Sequence, residues 1–302
     1  MISKPFFFYN NNMKKLLTCL FILSIPILAT GKVAVIKSKG FTSYGEILRG
    51  FKTICKNGYQ EFDLTTKEPS QIVKEIRNGG FSCVLIVGKQ ATDKISQNLK
   101  GIPVVCAGIF STYLPKGKKF SSAFYNIPIK DQFAFIQKAM PTCKSIAVIF
   151  DASSTYELVM SADKIAKNMG LKLEKIKVKN VKGMRTALYV AKENDILWMI
   201  PDQTSSSPGA FKLALLTSLK EKLPIYGLDA TYVKSGALFG LSADPTENGK
   251  LAGKIVNTIL KGGKGTSKYT KNPKIVINKK TAQKLGISLP ESVIKKAAIV
   301  YE

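Results

Sequence analysis

The residues best suited to bind a small molecule are hydroxyl, amide, carboxylate and aromatic side chains that follow predicted strands. In the first part of the chain these candidates are Thr42, Ser43, Tyr44, Gly88, Lys89, Gln90 and Phe110. In the second part they are Asp151, Ser153, Asp202, Thr204 and Asp229. Hydroxyls and amides exchange hydrogen bonds, carboxylates hold cationic groups, and an aromatic ring covers apolar surface. This mixture predicts reversible binding of a small polar or zwitterionic ligand.

Several of these residues have a purely structural alternative. Tyr44 can be a half-buried ring behind a helix N-cap, and Asp202 follows a proline and can be a simple turn residue. Phe110 can pack against a segment that crosses between domains. Gly88 ends a strand before a helix, but neither G-x-G-x-x-G nor G-x-x-x-x-G-K follows, so no phosphate loop is predicted.

The chain contains no histidine. Histidine is the side chain most used for acid-base chemistry near neutral pH, the usual base of serine and cysteine triads, and the commonest metal ligand. The sequence therefore predicts no catalytic residue, no metal and no cofactor. An enzyme that uses Asp, Lys or Tyr as acid and base is kept as the alternative from that class.

The elements that must position the candidates alternate between apolar runs and amphipathic stretches, which predicts an α/β fold with parallel sheets covered by helices on both faces. Predicted strands of a first series lie at residues 33–37, 59–64, 82–87 and 103–109, with helices at 44–56, 70–78 and 90–99. A lysine, glycine and serine-rich interval at 111–122 predicts a crossing between domains.

A second series of strands and helices follows this interval. Its predicted strands are 123–127, 145–150, 171–178, 195–200, 224–227 and 237–242. Its predicted helices are 130–140, 155–169, 183–192 and 211–222. A capping box of Ser154 and Glu157 and an N-cap at Asp244 mark helix starts. The pattern predicts two doubly wound lobes in tandem.

Ligands of open parallel sheets lie beyond the carboxyl ends of the strands. This rule selects residues 39–44, 88–91 and 108–113 in the first lobe, and 151–154, 202–205 and 229–231 in the second. If the two rims face each other, they enclose a cleft that is rich in hydroxyls, carboxylates and aromatic rings. We therefore place the candidate site between the lobes.

The N-terminal segment has the layout of a secretory signal. Lys14 and Lys15 precede an apolar run at residues 16–29, and small residues suggest cleavage near Lys32, with Met13 as a possible true start. A retained membrane anchor is the alternative. No later apolar stretch approaches eighteen residues, so we expect the rest of the chain to be soluble, in the periplasm or otherwise outside the cytoplasmic membrane. We also expect a monomer.

The net charge of +26 is large and would attract polyanions. The lysines are spread over nearly every predicted helix and loop, which favours a solvated basic surface over nucleic-acid binding. Four cysteines follow the signal, and Cys83 and Cys106 lie in apolar runs that are typical of buried strands. We therefore expect no disulfide framework.

Five segments resemble one known family: GKQA at 88–91, DILWMIPD at 195–202, PIYG at 224–227, YVKSGALFGL at 232–241 and INKKTAQKLGISLP at 277–290. They are similar to substrate-binding proteins of uncharacterised ABC transport systems, a group that includes tryptophan-type binding components. The resemblance covers residues 32–302 and implies a type I periplasmic-binding fold with three hinge crossings. It implies lobes at 32–120 plus 244–265 and at 121–243 plus 272–302, after a signal at 1–31.

The resemblance also implies a function. It predicts an extracytoplasmic component of an ABC importer that binds an amino acid or similar metabolite and works with a permease and an ATPase. An exported sensory protein that passes its ligand-bound form to a receptor or histidine kinase is the alternative, because both would have the same lobes. At residues 111–113 the chain departs from the family pattern, where relatives usually carry a polar or Asp-Pro turn.

Overall fold

The computed structural model describes residues 31–38, 42–115 and 120–302. The predicted signal therefore lies outside the described residues, apart from Gly31, and so do residues 39–41 of the first predicted rim. Within the described ranges, no helix combines the length and the apolar composition that a bilayer crossing requires.

The first sheet has six strands, all paired in parallel, in the order β11-β5-β4-β3-β1-β2. These strands are β1 (Lys32–Lys37), β2 (Tyr59–Asp63), β3 (Phe81–Val87), β4 (Val104–Ile109), β5 (Ser121–Phe124) and β11 (Ser267–Tyr269). The helices packed on it are α1 (Thr42–Ile54), α2 (Pro69–Asn78), α3 (Lys89–Ile95) and α9 (Pro245–Leu260). The four strands and three helices predicted for the first series are confirmed.

The second sheet has seven strands in the order β13-β12-β10-β9-β8-β6-β7, and only the β10–β12 pair is antiparallel. Its strands are β6 (Ser145–Phe150), β7 (Lys172–Lys177), β8 (Ile196–Trp198), β9 (Ile225–Tyr226), β10 (Phe239–Ser242), β12 (Lys274–Asn278) and β13 (Ile299–Tyr301). Its helices are α4 (Ile129–Ala139), α5 (Ala152–Asn168), α6 (Met184–Ala191), α7 (Pro208–Glu221), α8 (Ala230–Lys234), α10 (Lys279–Leu285) and α11 (Glu291–Ile294).

Each sheet buries an apolar core on both of its faces, as the doubly wound class requires. In β1, Val33 and Val35 pack beneath α1 and α9, whereas Ala34 and Ile36 pack beneath α2 and α3. This division follows from the period of two in a strand, which sends successive side chains to opposite faces. The near-continuous apolar runs of the sequence therefore indicate strands that are covered on both sides.

The strand predicted at residues 123–127 was assigned to the wrong lobe. As β5 it ends at Phe124 and pairs with β4, so it extends the first sheet instead of opening the second. The chain then crosses between the sheets three times, at residues 125–128, 243–244 and 270–273. The third crossing follows β11, which pairs with β5 and returns the chain briefly to the first sheet.

Asn248 of α9 ties these crossings together and is fully buried. Its Nδ2 donates to the carbonyl oxygens of Ala123 at 3.0 Å and Phe124 at 3.2 Å, and to Oγ1 of Thr270 at 2.8 Å. Its Oδ1 accepts from the Gly108 N–H at 3.0 Å. The Asn248 amide thus holds α9, which follows the second crossing, against the end of β5 before the first crossing and against Thr270 in the third crossing.

Two predicted helix starts have different outcomes. Asp244 is the N-cap of α9 and accepts from the N–H groups of Thr246 and Glu247, as expected. The predicted capping box at Ser154 is wrong, because α5 already begins at Ala152 and is capped by Asp151. The carboxylate of Asp151, directly after β6, accepts a hydrogen bond from the Ser153 N–H at 2.9 Å and so caps the helix.

Candidate functional site

The carboxyl ends of the two sheets face each other across a cleft. The hydroxyl of Thr112 in the first lobe lies 3.4 Å from the carbonyl oxygen of Pro201 in the second lobe. Burial and the nearby acidic groups of Tyr232 and Asp202 raise the pKa of Tyr113 to about 12. Residues of opposite rims are therefore close enough to interact, and the predicted geometry of two facing rims is observed.

Tyr44 and Gly88 form the inner part of the first-lobe rim. Tyr44 is 8% exposed, and its hydroxyl oxygen accepts a hydrogen bond from the backbone N–H of Lys89. Burial raises its pKa, because the charged form is disfavoured away from water. Gly88 has φ of 93°, and a Cβ there would lie 2.5 Å from Cζ of Tyr44. Glycine is therefore required where the ring crosses the start of α3.

The outer part of the first-lobe rim is aromatic and basic. The rings of Phe110 and Tyr113 meet edge to face with centroids 5.8 Å apart, and Nζ of Lys89 lies 5.2 Å from the Tyr113 centroid. Lys89 also forms an ion pair with Asp93 of its own helix. Gln90 follows in the first turn of α3 and is half-buried. These side chains lie close together at the first-lobe rim.

Thr42 and Ser43 begin α1 and stand one turn or less from Tyr44. Ser43 is half-buried, whereas for Thr42 the structure establishes only its position as the first helical residue. The structure thus places both at the first-lobe rim, next to the part of the loop that lies outside the described residues.

Asp202 is a structural carboxylate of the second-lobe rim and does not form part of its surface. It is 0% exposed. It accepts five hydrogen bonds, all of 2.7–3.0 Å, from the N–H groups of Asp151, Thr204 and Ser205 and from the hydroxyls of Ser154 and Thr155. These donors saturate the carboxylate, so the predicted contact between Asp202 and a ligand is replaced by a scaffolding role.

Asp151, Ser153 and Thr204 form a second layer above Asp202. The carboxylate of Asp151 accepts from the N–H of Ser153 at 2.9 Å, from its hydroxyl at 2.7 Å, and from the Thr204 hydroxyl at 3.1 Å. The bonds from Ser153 and Thr204 lower the pKa of Asp151, since they favour the charged form. Ser153 is exposed and Thr204 is half-buried, so the structure brings all three to the rim.

Asp229 differs from the other two carboxylates because the described hydrogen bonds reach only one of its oxygens. Its Oδ1 caps α8 and accepts from the N–H groups of Thr231 at 2.8 Å and Tyr232 at 3.2 Å. Burial raises the pKa of Asp229 despite these bonds, and no ion pair reaches it from the residues that the structure describes. A half-buried carboxylate without a cation is suited to hold an ammonium group.

Tyr125, which the sequence analysis missed as a site residue, lies in the first crossing between the lobes. It packs against the apolar cores of both lobes. Burial raises its pKa, and the nearby acidic groups of Asp229, Glu46, Asp244 and Tyr44 act in the same direction. Tyr125 therefore stands between the two rims. The signal for it was an aromatic residue just before the Asn126 and Pro128 turn, which was interpreted as the middle of a strand.

A small cavity of about 20 Å³ lies between the lobes, beside the first crossing. Phe110 contributes from the first lobe, Asn126 from the crossing, and Trp198 and Leu228 from the second lobe. Nε1 of Trp198 donates to Oε1 of Gln132 at 2.8 Å, so the indole nitrogen is satisfied within the protein. The cavity has room for about one water molecule and extends the cleft toward an apolar wall.

The described residues contain no group of three or more Cys, Asp and Glu side chains placed to hold a metal ion. The described residues instead form a cleft with the carboxylates of Asp151 and Asp229, four tyrosines (Tyr44, Tyr113, Tyr125 and Tyr232) and the ring of Phe110. Such a combination favours a ligand with a cationic group and an apolar or aromatic body.

Residues 48–301 match the family model described as ABC transporter substrate binding protein. The chain belongs to this family. The family is the one that the five sequence segments resemble, so that prediction is confirmed. A comparison with curated protein sequences gives no match.

Solved structures with the same fold have low sequence identity to this substrate-binding protein. A conserved domain protein from Vibrio cholerae is 21% identical, covers 90% of this chain and 99% of its own, and has a TM-score of 0.65. An ABC domain from Streptococcus pneumonia in complex with L-Trp is 24% identical, with 89% and 99% coverage and a TM-score of 0.64. A ligand-free, open substrate binding protein with adhesive properties from Clostridium difficile is 14% identical, with 90% and 99% coverage and a TM-score of 0.72. These matches establish the periplasmic-binding fold.

Proposed function

We propose that this chain is the extracytoplasmic solute-binding component of an ABC importer and that it binds an amino acid or a similar small amine in the cleft between its lobes. The observation that carries the proposal is the Asp229 carboxylate, which faces the cleft with one oxygen free of the hydrogen bonds that cap α8. The L-Trp bound to the Streptococcus relative supports this ligand class.

Each part of the cleft has a role in this proposal. Asp229 holds the ligand's ammonium group, while Tyr125 and Phe110 cover its apolar part. Tyr44, fixed by the Lys89 N–H, offers its hydroxyl from the first lobe. The hydrogen bonds of Asp202 keep the loop after β6 at a fixed distance from the loop after β8. No bond of the ligand is made or broken, so the chain acts by binding alone.

Binding selects a closed conformation in this scheme. A ligand that enters an open cleft contacts one rim first, and its contacts with the second rim stabilise the closed state. The three crossings form the hinge, and Asn248 keeps their ends together during the motion. The closed form then docks on an ABC permease that an ATPase drives. We propose that the segment before Lys32 directs export and is removed.

A thermal-shift screen tests the ligand class directly. The protein is heated with amino acids, nucleosides, sugars and organic acids, and an amino acid is expected to raise the midpoint of unfolding. Stabilisation by sugars or organic acids alone would contradict the amine proposal. Co-purification of an ABC permease with the ligand-saturated protein is expected for an importer, whereas co-purification of a histidine kinase would contradict that role.

A further inference from the structure

Half of the large hydrophobic side chains that the described residues expose lie on two neighbouring helices of the second lobe. Among eight such residues, Tyr189 and Val190 belong to α6, and Leu216 and Leu219 belong to α7. Tyr189 is 68% exposed and Leu216 is 58% exposed, more than any of the other six. Single exposed apolar residues are ordinary, but a cluster of this kind indicates a surface that binds something.

Basic side chains border this cluster on both sides of α7. One groove beside Leu216 contains Arg185, Lys192 and Lys220, and the groove on its other side contains Lys212, Lys234, Lys280 and Lys284. Among the described residues that line these two grooves, Glu221 is the only acidic one. Lys192 at 3.5 Å and Lys220 at 3.6 Å already neutralise it. We call this surface the α6–α7 face, defined by Arg185, Tyr189, Val190, Lys192, Lys212, Leu216, Leu219 and Lys220.

The opposite sides of these helices are fully used by the fold. Leu188 of α6 and Ala210 and Ala214 of α7 are buried against the second sheet. The exposed residues are therefore not needed for packing within the lobe. Because the ligand cleft lies at the carboxyl ends of the strands and α6 and α7 cover a face of the sheet, a partner on this face leaves the cleft open to solvent.

The charge of the α6–α7 face decides among possible partners. A second copy would bring two basic surfaces together in a chain whose net charge is +26, and like charges oppose that contact. A surface that is negative and apolar at once satisfies both features. Leucine and tyrosine can enter a lipid headgroup region while neighbouring lysine and arginine side chains extend to phosphate groups. Nζ of Lys192 already lies 4.3 Å from the Tyr189 ring centroid, which places a cation beside an interfacial aromatic ring.

We propose that the α6–α7 face docks the protein on the surface of an anionic lipid bilayer. Tyr189 and Leu216 enter the headgroup layer, and the basic side chains on both sides of α7 contact lipid phosphates. Since the attraction is largely electrostatic, it weakens as salt is added. Docking through this face holds the cleft near a membrane without covering it.

A fluorescence experiment on the full chain tests this orientation. The chain has one tryptophan, Trp198, which is 2% exposed and gives a constant background. Tyr189→Trp places a second indole on the α6–α7 face, and Tyr269→Trp is the matched control on the first sheet, where Tyr269 is 39% exposed. With phosphatidylglycerol vesicles whose acyl chains carry bromine, we expect a blue shift and quenching of the added fluorescence in Tyr189→Trp, and neither change in Tyr269→Trp.

Two charge-reversal pairs make the test specific. In the Tyr189→Trp background, Lys212→Glu with Lys280→Glu is expected to abolish quenching. The control pair is Lys130→Glu with Lys164→Glu, at exposed positions on α4 and α5, which changes the net charge by the same amount as the first pair. This control pair is expected to retain most of the quenching. All four sites are exposed, so circular dichroism should show an unchanged fold.

The proposal is overturned by any of four results. Equal quenching of Tyr189→Trp and Tyr269→Trp would mean that the chain adsorbs without orientation or through its N-terminal segment. Equal quenching by phosphatidylcholine vesicles would remove the anionic requirement. A response to polyglutamate but not to vesicles would indicate an acidic protein partner. Self-association that Leu216→Ser abolishes, measured by sedimentation without vesicles, would indicate a second copy.

Discussion

The carboxylate of Asp202 accepts a hydrogen bond of 2.7 Å from the hydroxyl of Thr155, and both side chains are buried. This contact joins the loop after β8 to the first turn of α5, so two neighbouring strand ends of the second sheet share one buried carboxylate. Hydrogen bonds from both strand ends hold this carboxylate in place, which makes it a rigid support for the rim above it.

Asp202→Ala removes the acceptor for five donors and should strongly lower the free energy of unfolding. Buried donors that lose their acceptor each cost about 1–3 kcal/mol, so we expect a total loss of about 3 kcal/mol or more in urea unfolding. Asp93→Ala is the control, because Asp93 forms an exposed ion pair and should change stability by less than about 1 kcal/mol. Equal losses in the two variants would show that Asp202 is not a scaffold.

Gly88→Ala should destabilise the protein through two separable effects. The left-handed φ of 93° disfavours any Cβ, and the new atom would lie 2.5 Å from the ring of Tyr44. We expect a loss of about 1–3 kcal/mol in the free energy of unfolding.

Gly80→Ala measures the cost of a Cβ at a positive φ without a contact, because Gly80 has φ of 66° and nothing lies within 4 Å of its added Cβ. Gly88 has φ of 93° and ψ of 159°, a region that is more restricted to glycine, so its own backbone cost is expected to be larger. Tyr44→Ala combined with Gly88→Ala should recover part of the loss, since it removes the clashing ring. The contact between residue 88 and the Tyr44 ring would be contradicted by two results together. The losses in the free energy of unfolding from Tyr44→Ala and Gly88→Ala would simply add, and Gly80→Ala would cost as much as Gly88→Ala.

Asn248→Asp should weaken the hinge while keeping the size of the side chain. The new oxygen cannot donate to the carbonyls of Ala123 and Phe124 or to Thr270, and a negative charge would face those oxygens. We expect a loss of about 3 kcal/mol in the free energy of unfolding, measured in urea.

The matched control for the hinge is Asn257→Asp on the same helix. Its Nδ2 donates one bond, of 3.1 Å to the Ile54 carbonyl oxygen, and it lies away from the crossings. A smaller loss is expected there. If Asn257→Asp costs as much as Asn248→Asp, the stability of the crossings does not depend on Asn248.

The buried thiols should be unreactive in the folded protein. Burial raises the pKa of both Cys83 and Cys106 to about 12, and both are 0% exposed. Since the thiolate is the reactive form, a disulfide reagent at mildly alkaline pH should label neither in native protein and both after unfolding. Mass spectrometry of labelled peptides identifies each site. Rapid labelling of Cys83 or Cys106 before unfolding would mean that β3 or β4 opens readily.

The sequence was sufficient for most strands and helices up to the end of α9, because their apolar runs are long and bounded by glycine, proline or asparagine. It did not predict α8 or the strands and helices that follow α9. It did not show which sheet β5 joins, since that depends on distant contacts such as the Asn248 amide on the Ala123 carbonyl. The strand-end rule placed Asp202 at the rim but could not show that hydroxyls from another strand end would saturate it. Tyr125 was missed because its position at the site depends on where the chain crosses between the lobes, which the local sequence does not show.

Ligand binding should depend on pH through Asp229. Burial raises its pKa above the ordinary value, while the N–H groups of Tyr232 and Thr231 partly offset this effect. An ammonium ligand needs the charged carboxylate, so affinity should be full above the raised pKa and fall as the pH drops through it. Without ligand the sign is opposite: protonation of Asp229 makes the folded protein more stable as the pH falls. Asp229→Asn should remove both dependences, which calorimetric titration and thermal unfolding at several pH values would measure.

Isothermal titration of the protein with paired ligands is the most direct test of the cleft. The pairs are L-tryptophan with indole-3-propionate and L-phenylalanine with 3-phenylpropionate, which differ only in the amino group, followed by the remaining L-amino acids. We predict that at least one amino acid binds, that any counterpart without the amino group binds at least tenfold more weakly, and that Asp229→Asn loses the difference. Binding that is equal with and without the amino group, or unchanged in Asp229→Asn, would contradict the account.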